Sequence, residues 1–152
     1  MKQILTLIFL LFISVSFAQE SEELKVQKTI EDFFEGFHKQ DSLLIKQATI
    51  EGVIAQTVGT KKDGTTSMRT EDFGKFLESI VSIPDSIHFQ EKLLSFNIQV
   101  DGAMANAWTP YEFWYNDAFS HCGVNSFQLF KQNGEWKIIY LIDTRRRKGC
   151  EQ

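Results

Sequence analysis

The stretch from His121 to Arg146 reads HCGVNSFQLFKQNGEWKIIYLIDTRR, and its reading decides the fold. At its centre stands Asn133-Gly134, the two-residue turn that suits the right-handed twist of paired strands, because both residue types tolerate a positive φ. The flanks are rich in β-branched, aromatic and aliphatic residues, so the stretch predicts an antiparallel hairpin. Strand side chains alternate between faces, and the turn sets which of them meet. With residues 132 and 135 flanking the turn, Leu129 lies opposite Ile138, Phe127 opposite Tyr140 and Asn125 opposite Ile142, with Trp136 on the same face. That face is apolar near the turn and polar at its far end, where Asn125, Thr144 and His121 gather. The other face carries Val124, Phe130, Ile139 and Leu141, which predicts a surface for pairing two copies as a homodimer.

Working outward, Ala103 to Tyr115 follows the Asp101-Gly102 turn and reads as a strand, as does Ile87 to Val100 before it. The register between Ala103–Tyr115 and the hairpin has two solutions. One puts Tyr111, Phe113 and Tyr115 on the inner face; a slip of one residue substitutes Trp108, Glu112 and Trp114. Either makes an aromatic cavity with a few polar groups at its mouth, the usual composition of a small-molecule site. Candidate ligand-binding residues are therefore Trp108, Tyr111, Phe113, Tyr115, His121, Asn125 and Tyr140.

The amino-terminal half is helical. Leu24, Ile30, Phe33, Phe34 and Phe37 recur three and four apart within Glu22–Lys39, the spacing of an amphipathic helix with a core-facing aromatic stripe. Asp41 is placed to cap a second short helix through Ala48. Val53 to Val58 reads as a strand, residues 61–66 as a polar loop, and Thr70 as the cap of a helix running to Val81 and stopped by Pro84. Helices first and antiparallel strands last is the order of an α+β domain.

The first 18 residues differ from the rest: Lys2 gives a positive start, Ile4–Phe17 is almost wholly apolar, and Ser16-Phe17-Ala18 offers small residues before a cut. They predict a cleaved signal peptide, export to the periplasm or medium, and a single mature domain over residues 19–152 with no membrane segment. The chain's formal charge is −4, and loss of Lys2 makes it −5, a balance that argues against nucleic acid as a partner. The basic run Arg145–Lys148 reads either as a solvated strand end or as an anion contact. Export favours a disulfide, and Cys122 and Cys150 allow one pairing; the hairpin register puts residue 122 opposite residue 145, and a buried thiol with a free tail is the alternative.

These residues resemble the nuclear transport factor 2-like superfamily, the α+β cone that includes SnoaL-like proteins and scytalone dehydratase. The nearer resemblance is to a branch of small secreted bacterial proteins named for lumazine binding. It is carried by Trp108, Pro110, Tyr111 and Phe113, by His121–Val124, Phe127 and Leu129, by Gly134–Ile138 and by Asp143–Arg146. The resemblance implies a cone in which helices pack on a curved, mostly antiparallel sheet around a pocket, often in a dimer.

Chemistry in such a cone needs an acid or base, and His121, Asp143 and Glu112 are the candidates. His121 reads either as a titrating group near neutrality or as a local hydrogen-bonding residue beside Cys122. Asp143 with Arg145 reads either as an ion pair that fastens the strand end or as a ligand clamp. His38, His88 and His121 lack ligand spacing, so no metal is expected, and no motif calls for a cofactor. The expected function is exported binding of a small organic molecule, with a dehydratase or isomerase using His121 or a pocket carboxylate as the alternative. A purely structural, partner-binding domain is the third reading.

Overall fold

A computed structural model describes residues 20–61 and 63–150, so the expected signal peptide lies outside the described residues. Helix α1 (Glu22–His38) begins where the Ser21 hydroxyl accepts the Leu24 N–H and Glu22 and Glu23 face the positive end of the helix. Its buried stripe is Val26, Ile30, Phe33, Phe34 and Phe37. Leu24, counted in the stripe from sequence, is instead 52% exposed, and Val26 takes the core position. Asp41 caps α2 (Ser42–Ala48) through the N–H groups of Leu43 and Leu44. The two helices close tightly at Gly36, where a Cβ would stand 2.8 Å from the backbone nitrogen of Ile45.

Seven strands follow: β1 (Thr49–Thr60), β2 (Thr66–Glu71), β3 (Phe89–Leu93), β4 (Asn97–Asp101), β5 (Met104–Tyr115), β6 (Ala118–Gln132) and β7 (Glu135–Arg145), with α3 (Phe73–Val81) between β2 and β3. The sheet runs β2-β1-β7-β6-β5-β3, with β4 also paired to β5. The β1–β7 pair is parallel and the other pairs are antiparallel. Asn133 and Gly134 both take positive φ, as do Asn116 and Asp117 at the β5–β6 turn, so both long hairpins close on two residues.

Two departures from the sequence reading have local causes. Thr70 lies in β2, paired with Gln56, and the cap of α3 is Asp72, whose carboxylate accepts the Lys75 N–H. The expected single strand from Ile87 to Val100 is two, both laid along β5. The break faces Pro110, whose carbonyl accepts the Leu94 N–H while its ring nitrogen has no hydrogen to return.

The core forms where α1 crosses the inner face of β5, β6 and β7. Small residues at Ala105 and Ala107 leave room for Phe33 and Phe34 against Phe127, with edge-to-face ring centroids at 6.3 and 6.2 Å. Leu129 and Ile138 are fully buried beside them and Trp136 nearly so. At the hairpin end, Glu22 accepts hydrogen bonds from Trp136 and Lys131, tying α1 to both strands. No helix among the described residues is long and apolar enough to cross a membrane.

Candidate functional site

The site is made by a residue that breaks the alternation of β7. Leu129 pairs with Ile138 and Gln128 with Tyr140, which leaves Ile139 without a partner on β6. Such a bulge moves every later side chain to the opposite face. Beyond it Phe127 lies opposite Leu141 and Asn125 opposite Asp143, in place of the expected Tyr140 and Ile142. Tyr140 and Ile142 turn outward, the Tyr140 hydroxyl bonding Gln56 at 2.6 Å. Leu141, expected on the outer face, lines the cavity instead. Residue 122 correspondingly pairs with Arg146 and not 145.

A second bulge at Ser120 lies just before His121. Phe113 pairs with His121 and Tyr111 with Gly123, so of the two registers open from sequence, the inner face takes Tyr111 and Phe113. Trp108 is on the outer face and 53% exposed. Glu112 shares that face and accepts the Trp114 indole N–H at 3.0 Å, away from the cavity. Tyr115, at the strand end, is 47% exposed and does not line it.

Between α1, α3 and the inner sheet face lies a cavity of about 550 Å³. Its apolar wall is Phe33, Phe34 and Phe37 of α1, Phe73 and Phe76 of α3, and Phe113 of β5. Its polar side is Glu91, His121, Asn125, Asp143 and Arg145, with Thr57 behind them. Of the seven expected ligand contacts, Phe113, His121 and Asn125 line this cavity, and Tyr111 is buried beneath it.

Asp143 is the centre of a network. It pairs with Arg145 Nε at 2.9 Å, accepts the Thr57 hydroxyl, and lies 3.2 Å from the Tyr111 hydroxyl oxygen. Tyr111 also donates to the Thr144 carbonyl at 2.9 Å, and burial pushes its phenol up from the ordinary range, so it stays neutral. Its ring lies over Gly123, where a Cβ would stand 2.7 Å from Cε1. His121 accepts or donates at Nδ1 to the Ser120 hydroxyl, 3.1 Å away, and stacks on Phe113 at 4.9 Å. Burial first, and the charge of Arg145 second, hold its pKa below 6.5, so at neutral pH it is an uncharged imidazole.

Glu91 is the residue that the sequence reading missed. Its Oε1 accepts the Asn125 amide at 2.7 Å and its backbone N–H donates to His38 Nε2 at 3.0 Å. Burial, reinforced by Asp143 and opposed by the Asn125 hydrogen bond, pushes the Glu91 carboxyl up to about 7. The signal was present in Phe89-Gln-Glu-Lys-Leu93, where an acid sits between two apolar residues that share its face. Cys122 and Cys150 are joined in a disulfide that returns the carboxyl-terminal tail to the outer side of β6. No group of three or more candidate metal ligands occurs among the described residues.

No family model matches the sequence, and no curated protein matches it. Solved structures do match. A nuclear transport factor 2-like protein of unknown function from Pseudomonas putida aligns over 84% of this chain and 88% of its own, at TM-score 0.65 and 12% identity. A nuclear transport factor 2-like protein from Cytophaga hutchinsonii aligns over 84% of this chain and all of its own, at TM-score 0.64 and 9% identity. This chain has the nuclear transport factor 2-like fold. A proposed ketosteroid isomerase from Shewanella frigidimarina shares it at TM-score 0.55 and 14% identity, over 78% of this chain and 94% of its own. Identities this low establish the α+β cone alone, because fold does not carry function.

Proposed function

We propose that this protein is exported and binds a small organic molecule in the cone, its apolar body against the phenylalanine wall and its polar group at the Glu91–Asp143 end. One observation carries the reading: a cavity of about 550 Å³ that is aromatic on one side and bears a connected set of polar side chains on the other. Volume and lining both match small-molecule sites. The test is calorimetry with lumazine, flavin and steroid-like compounds on two variants. Phe113→Ala removes a cavity wall and should weaken binding by about 2 kcal/mol. Trp108→Ala, on the outer face, should leave binding unchanged. Equal losses in both variants, or no binding by the wild type, would refute the reading. Export rests on residues 1–18, and the intact mass of secreted protein should place Gln19 at the amino terminus.

A second reading, proton-transfer catalysis, draws on one observation. Glu91 faces the aromatic cavity with a carboxyl pushed up to about 7, the range of an effective general base at neutral pH. In that reading Glu91 displaces His121 and Glu112 as the acid–base group, and His121 stands by as a neutral hydrogen-bond donor. Isomerisation of an unsaturated ketone that disappears in Glu91→Gln and survives in His121→Ala would support it; turnover that survives in both variants would remove it.

A further inference from the structure

The chemical class of the cavity's ligand can be narrowed by asking which charged groups there lack a counterpart, on the reading above that the cavity is a binding site. Arg145 is bonded to Asp143 and Thr57, and Arg69 at the rim is paired with Glu71. Asp72 caps α3. Glu91 has no cation within salt-bridge distance among the described residues, and only its Oε1 is hydrogen-bonded, to Asn125. Its Oε2 is not sealed into the protein, since no buried side-chain oxygen or nitrogen among the described residues is left without a partner. Glu91 lines the open cavity together with Phe34 and Phe113, and it also borders a shallow groove with Glu31, Glu35 and Lys39, so its unbonded oxygen is open to a ligand.

We propose that the cavity takes a protonated amine on a flat apolar body, the ammonium group bonded to Oε2 of Glu91 beside the rings of Phe34 and Phe113. An ammonium group supplies the donor and the positive charge that Glu91 lacks, and aromatic rings attract a desolvated cation. A ligand carboxylate at this position would meet the opposite, two acids, Glu91 and Asp143; of the cavity's cations, Arg145 is bonded to Asp143 through Nε and to Thr57 through Nη2, and Lys75 is solvent-exposed. The groups around Glu91 come from every neighbouring element: Asp143 and Arg145 on β7, His121 on β6, Tyr111 on β5, His38 with Glu31, Glu35 and the adjoining Lys39 on α1, Arg69 and Glu71 on β2, and Asp72 and Lys75 on α3. His121 and His38 are both held below their ordinary pKa by burial, so neither adds a cation at pH 7. An amine requires the ionised carboxyl, and its affinity should rise as pH passes through about 7, whereas a neutral alcohol or ketone accepting the Glu91 proton should weaken over the same interval.

The experiment titrates the full mature chain with three fluorescent probes that share one ring system: anthracenylmethylamine, anthracenemethanol and anthracene carboxylate. At pH 8 the amine should bind the wild type about tenfold more tightly than the alcohol, the equivalent of one charge-assisted hydrogen bond. Glu91→Gln should abolish that preference while the alcohol's affinity stays within about twofold, since the amide keeps the side chain's size and only the charge-dependent contact is lost. The proposal is overturned if the alcohol or the carboxylate matches the amine in the wild type, or if the variant keeps the preference. A variant that loses amine and alcohol equally assigns Glu91 a structural role and also overturns it. Tight alcohol binding without amine preference would sink this proposal alone, whereas binding of none of the three sinks the cavity reading with it.

Discussion

Replacing Gly123 by alanine should cost about as much stability as one core truncation, although it adds a single methyl group. Gly123 is the floor on which the Tyr111 ring rests, and that ring carries its hydroxyl to the Thr144 carbonyl and the Asp143 carboxylate. A Cβ at position 123 would press on the Thr144 carbonyl oxygen and stand 2.7 and 2.8 Å from Cε1 and Cζ of Tyr111. One of these neighbours is backbone of the adjacent strand, so it moves only if the β6–β7 ladder moves. The other is a ring that is 1% exposed, with nowhere to go. Overpacking of this kind costs roughly 1–3 kcal/mol, and displacing a buried hydroxyl from its acceptors adds about 1 kcal/mol. We expect a loss of about 3 kcal/mol, with Tm lower by roughly 10 °C. Urea and thermal melts followed by tryptophan fluorescence read this directly. Tyr111→Phe is the companion: it keeps the ring and loses only the hydroxyl's bonds, so it should cost about 1 kcal/mol. A Gly123→Ala protein within about 0.5 kcal/mol of wild type would refute the packing argument, because a surface change would do as little.

Glu91 makes stability depend on pH in an uncommon direction. Its folded pKa of about 7 exceeds the ordinary 4.5, so between those values the folded chain holds more protons than the unfolded one and stability falls as pH rises. The wild type should lose roughly 2 kcal/mol relative to Glu91→Gln between pH 4.5 and 7.5, measured by urea melts of both proteins; parallel profiles would contradict the burial of that carboxyl. Removal of the Cys122–Cys150 bridge by Cys150→Ser frees a 28-residue separation and should cost about 3 kcal/mol; a non-reducing intact mass without the 2-hydrogen loss would show that the bridge is not formed. On the outer sheet face, Met104 pairs with Phe130 and Trp108 stands four residues further along β5, all more than 40% exposed. A second copy covering this patch should make the protein dimeric in sedimentation at tens of micromolar, and Trp108→Glu should make it monomeric; a monomeric wild type removes the dimer.

The elements that were legible along the chain are those whose physics is local. Asn133-Gly134 specifies its hairpin because only a few residue types sit at positive φ twice in succession, and the Phe33–Phe37 stripe specifies its helix because spacing alone aligns those rings. Asp41 was recognisable as a cap for the same reason. With helices preceding strands, that was enough for the α+β class, the family resemblance implied the cone, and strand alternation was enough to put Phe113, His121 and Asn125 at its cavity. The polar cluster was legible only in part: His121, Asn125 and the Asp143–Arg145 pair were named along the chain, but not the pairing that gathers them or Glu91. Asp143 enters and Tyr140 leaves because Ile139 is bulged, and the β1–β7 register slips at the same place, between Thr49 and Ile54, a strand more than 80 residues away. A one-residue slip has no signature among its sequence neighbours; pairing with both adjoining strands sets it. Glu91 became a candidate for the same reason. Its alternation was visible in Phe89–Leu93, but its carboxyl is raised only by what β3 meets across the cone: Asn125 of β6, Asp143 of β7 and the rings of α1 that exclude water.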